Sequence, residues 1–189
     1  MSVRAVTDRA GTTTRAVYAL FGSKAGLIEA MAAKGYLLLA ELVNAIPRTE
    51  DPRADLVAVG GAFRAFAVGR PTLFRLTFER TKAEIFSVER VVSAATTSYE
   101  ALIALIERAQ EQGTIDPNWS ADEVAFMIHS VCQGLAGSEL AAQPPPIGTG
   151  MWRRLGDFDR SEAWDTVLSS IVDGLAPSHH SVTPPSSSE

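Results

Sequence analysis

The residues best suited to recognition chemistry stand near the amino terminus: Thr13, Thr14, Arg15 and Tyr18 in TTTRAVYALF, flanked by Ser2 and Lys24. Hydroxyls, a guanidinium and a phenol can hold phosphate oxygens and read base edges in a DNA groove. Lys24 follows Ser23 at an expected helix start, where free backbone N–H groups and the helix dipole favour an anion such as phosphate.

These side chains need two short helices and a tight turn to present them. Ser2 can cap a first helix with Val3, Val6 and Ala10 on its apolar side, and Gly11 can take the left-handed backbone that ends it. Thr13 can cap a second helix whose expected buried face is Ala16, Val17, Leu20 and Phe21, leaving Thr14, Arg15 and Tyr18 outward. Gly22 breaks that helix and Ser23 caps the next. The pattern is a helix-turn-helix.

The rest of the chain predicts an all-α body. A connector helix over about 24–44 carries Leu27, Ile28, Met31, Gly35, Leu38, Leu42 and Ile46 as an apolar stripe, and Pro47 to Pro52 marks a boundary. Residues 1–46 form the expected head with connector, 53–176 the body, and 177–189 a disordered tail rich in Ser, Pro and Thr. Within the body, 53–69 presents Leu56, Val59, Phe63, Phe66 and Ala67 on one face, and PTLFRLTFER suggests a short buried helix. A long helix over about 88–112, with Val88, Val91, Val92, Ala95, Tyr99, Leu102 and Ile106 in its stripe, stops at Gly113. Ser120 and Glu123 form a capping box for a helix that is apolar nearly all round. After a loop at 144–160, Ser161 is the expected cap of a last helix bearing Trp164, Val167, Leu168, Ile171, Val172 and Leu175. No strand pattern or internal repeat is present in the sequence.

Composition narrows the function classes. With 46% apolar and 21% charged residues, the 189-residue chain suits a folded protein with a sizeable core. The net charge is −5, yet residues 1–47 carry five cations against three anions, so a mildly basic head joins an acidic remainder. Such a distribution permits local DNA binding and disfavours general coating of the polyanion. One cysteine, Cys132, excludes an internal disulfide, and neither a membrane-spanning run nor a signal peptide is visible, so the expected location is cytoplasmic.

Other constellations are weaker. Phe63, Phe66, Phe74, Phe78, Tyr99, Phe126 and Met127 could line an apolar ligand pocket with His129 as its polar handle, or simply pack as core. His129 and Cys132 are spaced for one helix face, but two ligands do not make a metal site, and no metal or cofactor is expected. His179 and His180 fall in the tail. No nucleophile elbow, phosphate loop or metalloprotease signature is present, so no enzyme activity is expected. Ser130, Gly134, Gly137 and Ser138 would let the helix over about 121–142 approach another closely, within the chain or, with 161–175, across a two-fold dimer.

The stretch AGTTTRAVYALFGSKAGLIEAM resembles the helix-turn-helix signature of the tetracycline-repressor (TetR) family: the Ala10-Gly11 turn, the Thr13 cap, Tyr18 and Phe21, Ser23-Lys24, and Leu27. The resemblance implies a homeodomain-like head, a helical body that binds a small-molecule effector, and dimerisation through the last two helices. It implies a DNA-binding transcriptional regulator acting as a repressor, with Ser2, Thr13, Thr14, Arg15, Tyr18 and Lys24 at the operator. The body is similar, around RPTLFRLTFER and IHSVCQGLAGSEL, to TetR domains with a tryptophan, histidine and glycine in the penultimate helix; His129 and Gln133 replace the first two and Gly134 is retained. Family heads have three helices, and the first would precede Ser2. Either the natural start lies upstream of Met1 or the chain is a shortened form, in which Val3, Val6, Val17 and Phe21 would be partly uncovered. The alternative is therefore a dimeric ligand-binding or protein-interaction module without DNA binding.

Overall fold

The computed structural model describes residues 2–79, 89–141 and 159–177. Local chemistry accounts for the first three helices. The Ser2 hydroxyl accepts a hydrogen bond from Ala5 N at 3.1 Å to start α1, Val3–Ala10, and Gly11, at φ 60°, closes it. The Thr13 hydroxyl accepts from Ala16 N at 3.1 Å to start α2, Thr14–Phe21, and Gly22, at φ 72°, turns the chain. The Ser23 hydroxyl accepts from Gly26 N at 3.0 Å and opens α3, Lys24–Asn44.

Five further α-helices follow among the described residues: α4 Pro52–Gly69, α5 Pro71–Phe74, α6 Glu89–Glu111, α7 Ala121–Leu140 and α8 Arg160–Gly174. Among the described residues the chain is helical without a strand. The PTLFRLTFER segment is not one plain helix, because α5 passes into a π-helical turn over Arg75–Glu79. Thr77 on that turn lies against Gly35, where an added Cβ would overlap Thr77 Oγ1 and stand 3.1 Å from its Cβ. Gly35 thus allows the turn to lie directly on α3.

The connector is built into the core of the body. Ala32, Ala33, Tyr36, Leu39, Ala40 and Val43 are buried with Leu56, Phe63, Phe66, Phe74, Leu105, Ile106, Ile128 and Leu168 in one continuous cluster. The buried stripe of α3 is therefore rotated from the expected one: Leu38 and Leu42 are only half-buried, because α3 packs chiefly against α6. On α6 the expected stripe member Val92 is 44% exposed, while Ala94, Ser98 and Ala101 turn inward instead. Val88 lies outside the described residues.

Polar clamps join the helices. Asp55 on α4 accepts from Thr49 N at 2.9 Å, Thr49 Oγ1 at 2.7 Å and Arg108 Nη1 at 2.7 Å, and Arg108 also donates to the Thr49 carbonyl. Burial pushes the Asp55 carboxyl up, but hydrogen bonds from Thr49 and Arg108 outweigh it and hold the group below its usual range. This triad fastens the 47–52 segment to α4 and α6. Glu139 on α7 likewise accepts from Arg64 Nη2 at 2.7 Å and Trp164 Nε1 at 3.0 Å, tying α4, α7 and α8 together.

The cap of α8 departs from expectation. Asp159, not Ser161, occupies it, accepting from Ser161 N at 2.8 Å and Glu162 N at 3.3 Å, since an ionised carboxylate serves two free donors at once. Glu123 accepts from Ser120 N at 3.4 Å at the start of α7. The expected 144–160 loop and the disordered tail lie mainly outside the described residues, as do His179 and His180.

Candidate nucleic-acid interface and internal cavity

The head presents its polar side chains as the caps dictate. Ser2, Thr13, Thr14, Arg15 and Lys24 are exposed, and Tyr18 is 42% exposed. Thr14, Arg15 and Tyr18 share the outer face of α2, while Lys24 opens α3 one turn of chain later. Val17 lies on the opposite side at 4% exposure, so it is covered, contrary to the expectation that it would be partly open. The packing of α2 on α3, where Leu27 is also buried, provides that cover. Val3, Val6 and Phe21 are half-buried. Leu20, expected on the buried face, is 78% exposed, because Val17 and Phe21 take the contact with α3 and leave Leu20 turned away. Gly26 meets a tight spot missed in the sequence: an added Cβ there would overlap the Phe21 carbonyl.

In the body, α3, α4, α6 and α7 converge on a small cavity lined by Leu39, Val43, Val59, Phe63, Ser98, Tyr99, Leu102, Ile128, His129 and Cys132. It leaves about 20 Å³ for the centres of water-sized molecules, room for one water. Of the residues expected at a pocket, Phe63, Tyr99 and His129 line this space. Phe66, Phe74 and Phe78 form the adjoining ring cluster, with Phe74 and Phe78 centroids 5.2 Å apart and Phe78 5.4 Å from the His129 ring. Met127 is half-buried against the core. Phe126 is 64% exposed on the outer side of α7, away from the cavity, because Val124, Ala125 and Ile128 occupy the inward positions of that turn.

Burial governs the titration of the lining. It pulls His129 down to about 4, so the ring is neutral near pH 7, and pushes the Cys132 thiol up to about 12. The Tyr99 phenol is raised by burial, and burial with the neighbouring Tyr99 lifts Tyr36 to about 12. Gln133 donates from Nε2 to the Phe78 carbonyl at 3.3 Å. Among the described residues no group of three or more His, Cys, Asp or Glu side chains could hold a metal ion, and no helix is long and apolar enough to cross a membrane.

The model for tetR-family bacterial regulatory proteins matches residues 1–31, and that of the tetracyclin repressor-like C-terminal domain matches residues 56–155, more than half of the chain. The chain belongs to the TetR family. As a TetR member it is a DNA-binding transcriptional regulator by family, with a helix-turn-helix head and a helical C-terminal domain. Solved structures share this fold. A protein with unknown function from Rhodococcus sp. RHA1 is 22% identical with a TM-score of 0.72, the match covering 94% of this chain and 86% of that one. The TetR family transcriptional regulator PfmR from Thermus thermophilus is 17% identical with a TM-score of 0.64, covering 94% and 90%. A bacterial regulatory protein in the tetR family from Rhodococcus RHA1 is 13% identical with a TM-score of 0.63, covering 94% and 87%. At these identities the likeness concerns the fold alone. No curated protein is similar enough in sequence to register as a relative.

Several features of this TetR chain were not visible as site residues in sequence. Leu39 and Val43 lie in the connector, Ser98 beside the Tyr99 stripe, and Cys132 in sequence is a lone cysteine spaced with His129 on one helix face. Their common signal was proximity in space, which spacing along four separate helices does not reveal.

Proposed function

We propose that this protein is a cytoplasmic, homodimeric repressor whose head holds operator DNA until a small molecule occupies the body cavity. The observation that carries this reading is the continuity of α3: it begins at Lys24 beside the exposed face of α2 and lines the cavity with Leu39 and Val43. A molecule larger than one water must widen that space, and widening it displaces α3 and the recognition helix seated on its first turns. Thr13, Thr14, Arg15 and Tyr18 serve the groove and phosphates, with Ser2 and Lys24 on the backbone. The dimer forms through the outer faces of α7 and α8. Gly134 and Gly137 there leave open space around their backbones, and Phe126 stands exposed on the same helix. Such a dimer spaces two recognition helices over two half-sites.

A second reading, a dimeric ligand-binding or protein-interaction module without DNA binding, is favoured by the open apolar flank of the head at Leu20. Fluorescence anisotropy of the full chain against duplex DNA from upstream of its own gene, at two salt concentrations with non-specific competitor, separates the two. Saturable, salt-sensitive binding that survives competitor supports the repressor. Its absence favours the module.

A further inference from the structure

The cavity lining includes polar side chains that have no hydrogen-bond partner among the described residues. Ser98 is 7% exposed and Cys132 fully buried, yet among the described residues neither side chain has a hydrogen-bond partner; the Tyr99 hydroxyl and the His129 ring, both half-buried, have none either. Buried hydroxyls and ring nitrogens are ordinarily paired, because leaving them dry sacrifices the bonds they would make to water. All four stand on the inward sides of α6 and α7 around one small space, and the remaining lining is aliphatic or aromatic. None of the ten lining residues carries a formal charge. The rings pack around His129, with Tyr99 at 4.9 Å and Phe63 edge-on at 5.7 Å between centroids.

We propose that the cavity takes an uncharged, largely apolar ligand that presents a hydroxyl or carbonyl group to Ser98, Tyr99 and His129. This rests on the effector reading above and adds the chemistry of the effector. Among the described lining residues a carboxylate would find no cation to meet it, and recruiting His129 as that cation would require protonating a ring that burial holds neutral. An ammonium group would find neither a carboxylate nor a ring of acceptors among the described lining residues. A plain hydrocarbon would offer the hydroxyls and the imidazole no hydrogen bond. A hydroxyl or carbonyl on an apolar frame satisfies both halves of the lining, and the neighbouring rings favour a flat, aromatic frame.

Isothermal titration calorimetry of the full chain near neutral pH, with probes of one shape, tests this: para-cresol, para-xylene, para-toluate and para-methylbenzylammonium. The expected result is saturable para-cresol binding, with para-xylene about two- to ten-fold weaker for want of a hydrogen bond. Both ions should be weaker by at least about ten-fold. Ser98→Ala or His129→Phe, checked by circular dichroism for retained helix and melting, should bring para-cresol and para-xylene to within about two-fold. A charged probe binding as tightly as para-cresol, para-xylene equalling it, or no saturable binding by any probe overturns the proposal, and these comparisons need no variant. Adding operator duplex separates this from the repressor reading. Para-cresol that binds but leaves DNA affinity unchanged retains the ligand chemistry and removes its coupling to DNA; DNA release by an ion alone does the reverse.

Discussion

Two side chains, Arg15 and His129, stand in opposite surroundings. Arg15 is exposed on the outer face of α2, free to meet a base edge. Arg15→Ala should weaken operator binding by roughly 1 to 3 kcal/mol if the guanidinium reads a base, and should relax sequence preference at that position. An unchanged affinity in the anisotropy titration would sink that role. His129 is the opposite case, a ring held neutral down to about 4 by burial, against an ordinary 6.5. Between those values the unfolded chain takes up a proton that the folded chain refuses, so stability falls as pH drops through this window, by up to roughly 3 kcal/mol. Asp55 and Glu139, whose carboxyls are held low by their partners, lose their stabilising effect below about pH 4, in a separate window. Urea melts of His129→Gln should therefore show a flatter stability curve between pH 6.5 and 4; an unaltered curve would assign the slope elsewhere.

At the scale of elements, the contact between α3 and the π-helical turn is the most demanding. Thr77 sits where a Gly35 side chain would be, and its hydroxyl is already engaged with the Leu73 carbonyl at 2.9 Å. Gly35→Ala should cost about 2 kcal/mol or more through overpacking and a shifted turn. Thr77→Ala removes the nearest obstructing atoms, so the double variant should recover part of the loss, with a coupling of about 1 kcal/mol or more in a double-mutant cycle. Additive effects in denaturant titration would mean that the turn moves aside freely. Since α3 carries both the head and two cavity-lining residues, this joint bears on how firmly the connector is held.

For the whole molecule, the proposed dimer makes the outer faces of α7 and α8 the place where two heads would be joined. Gly134 and Gly137 leave open space, and Phe126 is exposed beside them. Gly134→Arg should keep the helical fold of the protomer, because among the described residues no atom beyond its own helical turn lies within 4 Å of an added Cβ there. It should nevertheless shift sedimentation from dimer to monomer and reduce operator affinity by at least about ten-fold, as paired half-site contacts are lost. A variant that remains dimeric would move the interface to another face. The acidic body beside a mildly basic head also limits binding to the head's own contacts, consistent with the −5 net charge.

The sequence by itself determined the local features: the caps at Ser2, Thr13 and Ser23, the glycines that end α1 and α2, the outward face of α2, and the all-helical body. These depend on hydrogen bonds and dihedral preferences spanning three or four residues, so they are written in consecutive letters. Tertiary structure decided which faces are buried. It turned Leu20 and Phe126 outward, rotated the buried stripe of α3, and converted part of PTLFRLTFER into a π-helical turn over Gly35. It also gathered Ser98, Tyr99, His129 and Cys132 around one space with Leu39 and Val43. These outcomes depend on contacts between separate helices, where periodicity gives the width of an apolar stripe but not the neighbour that will cover it.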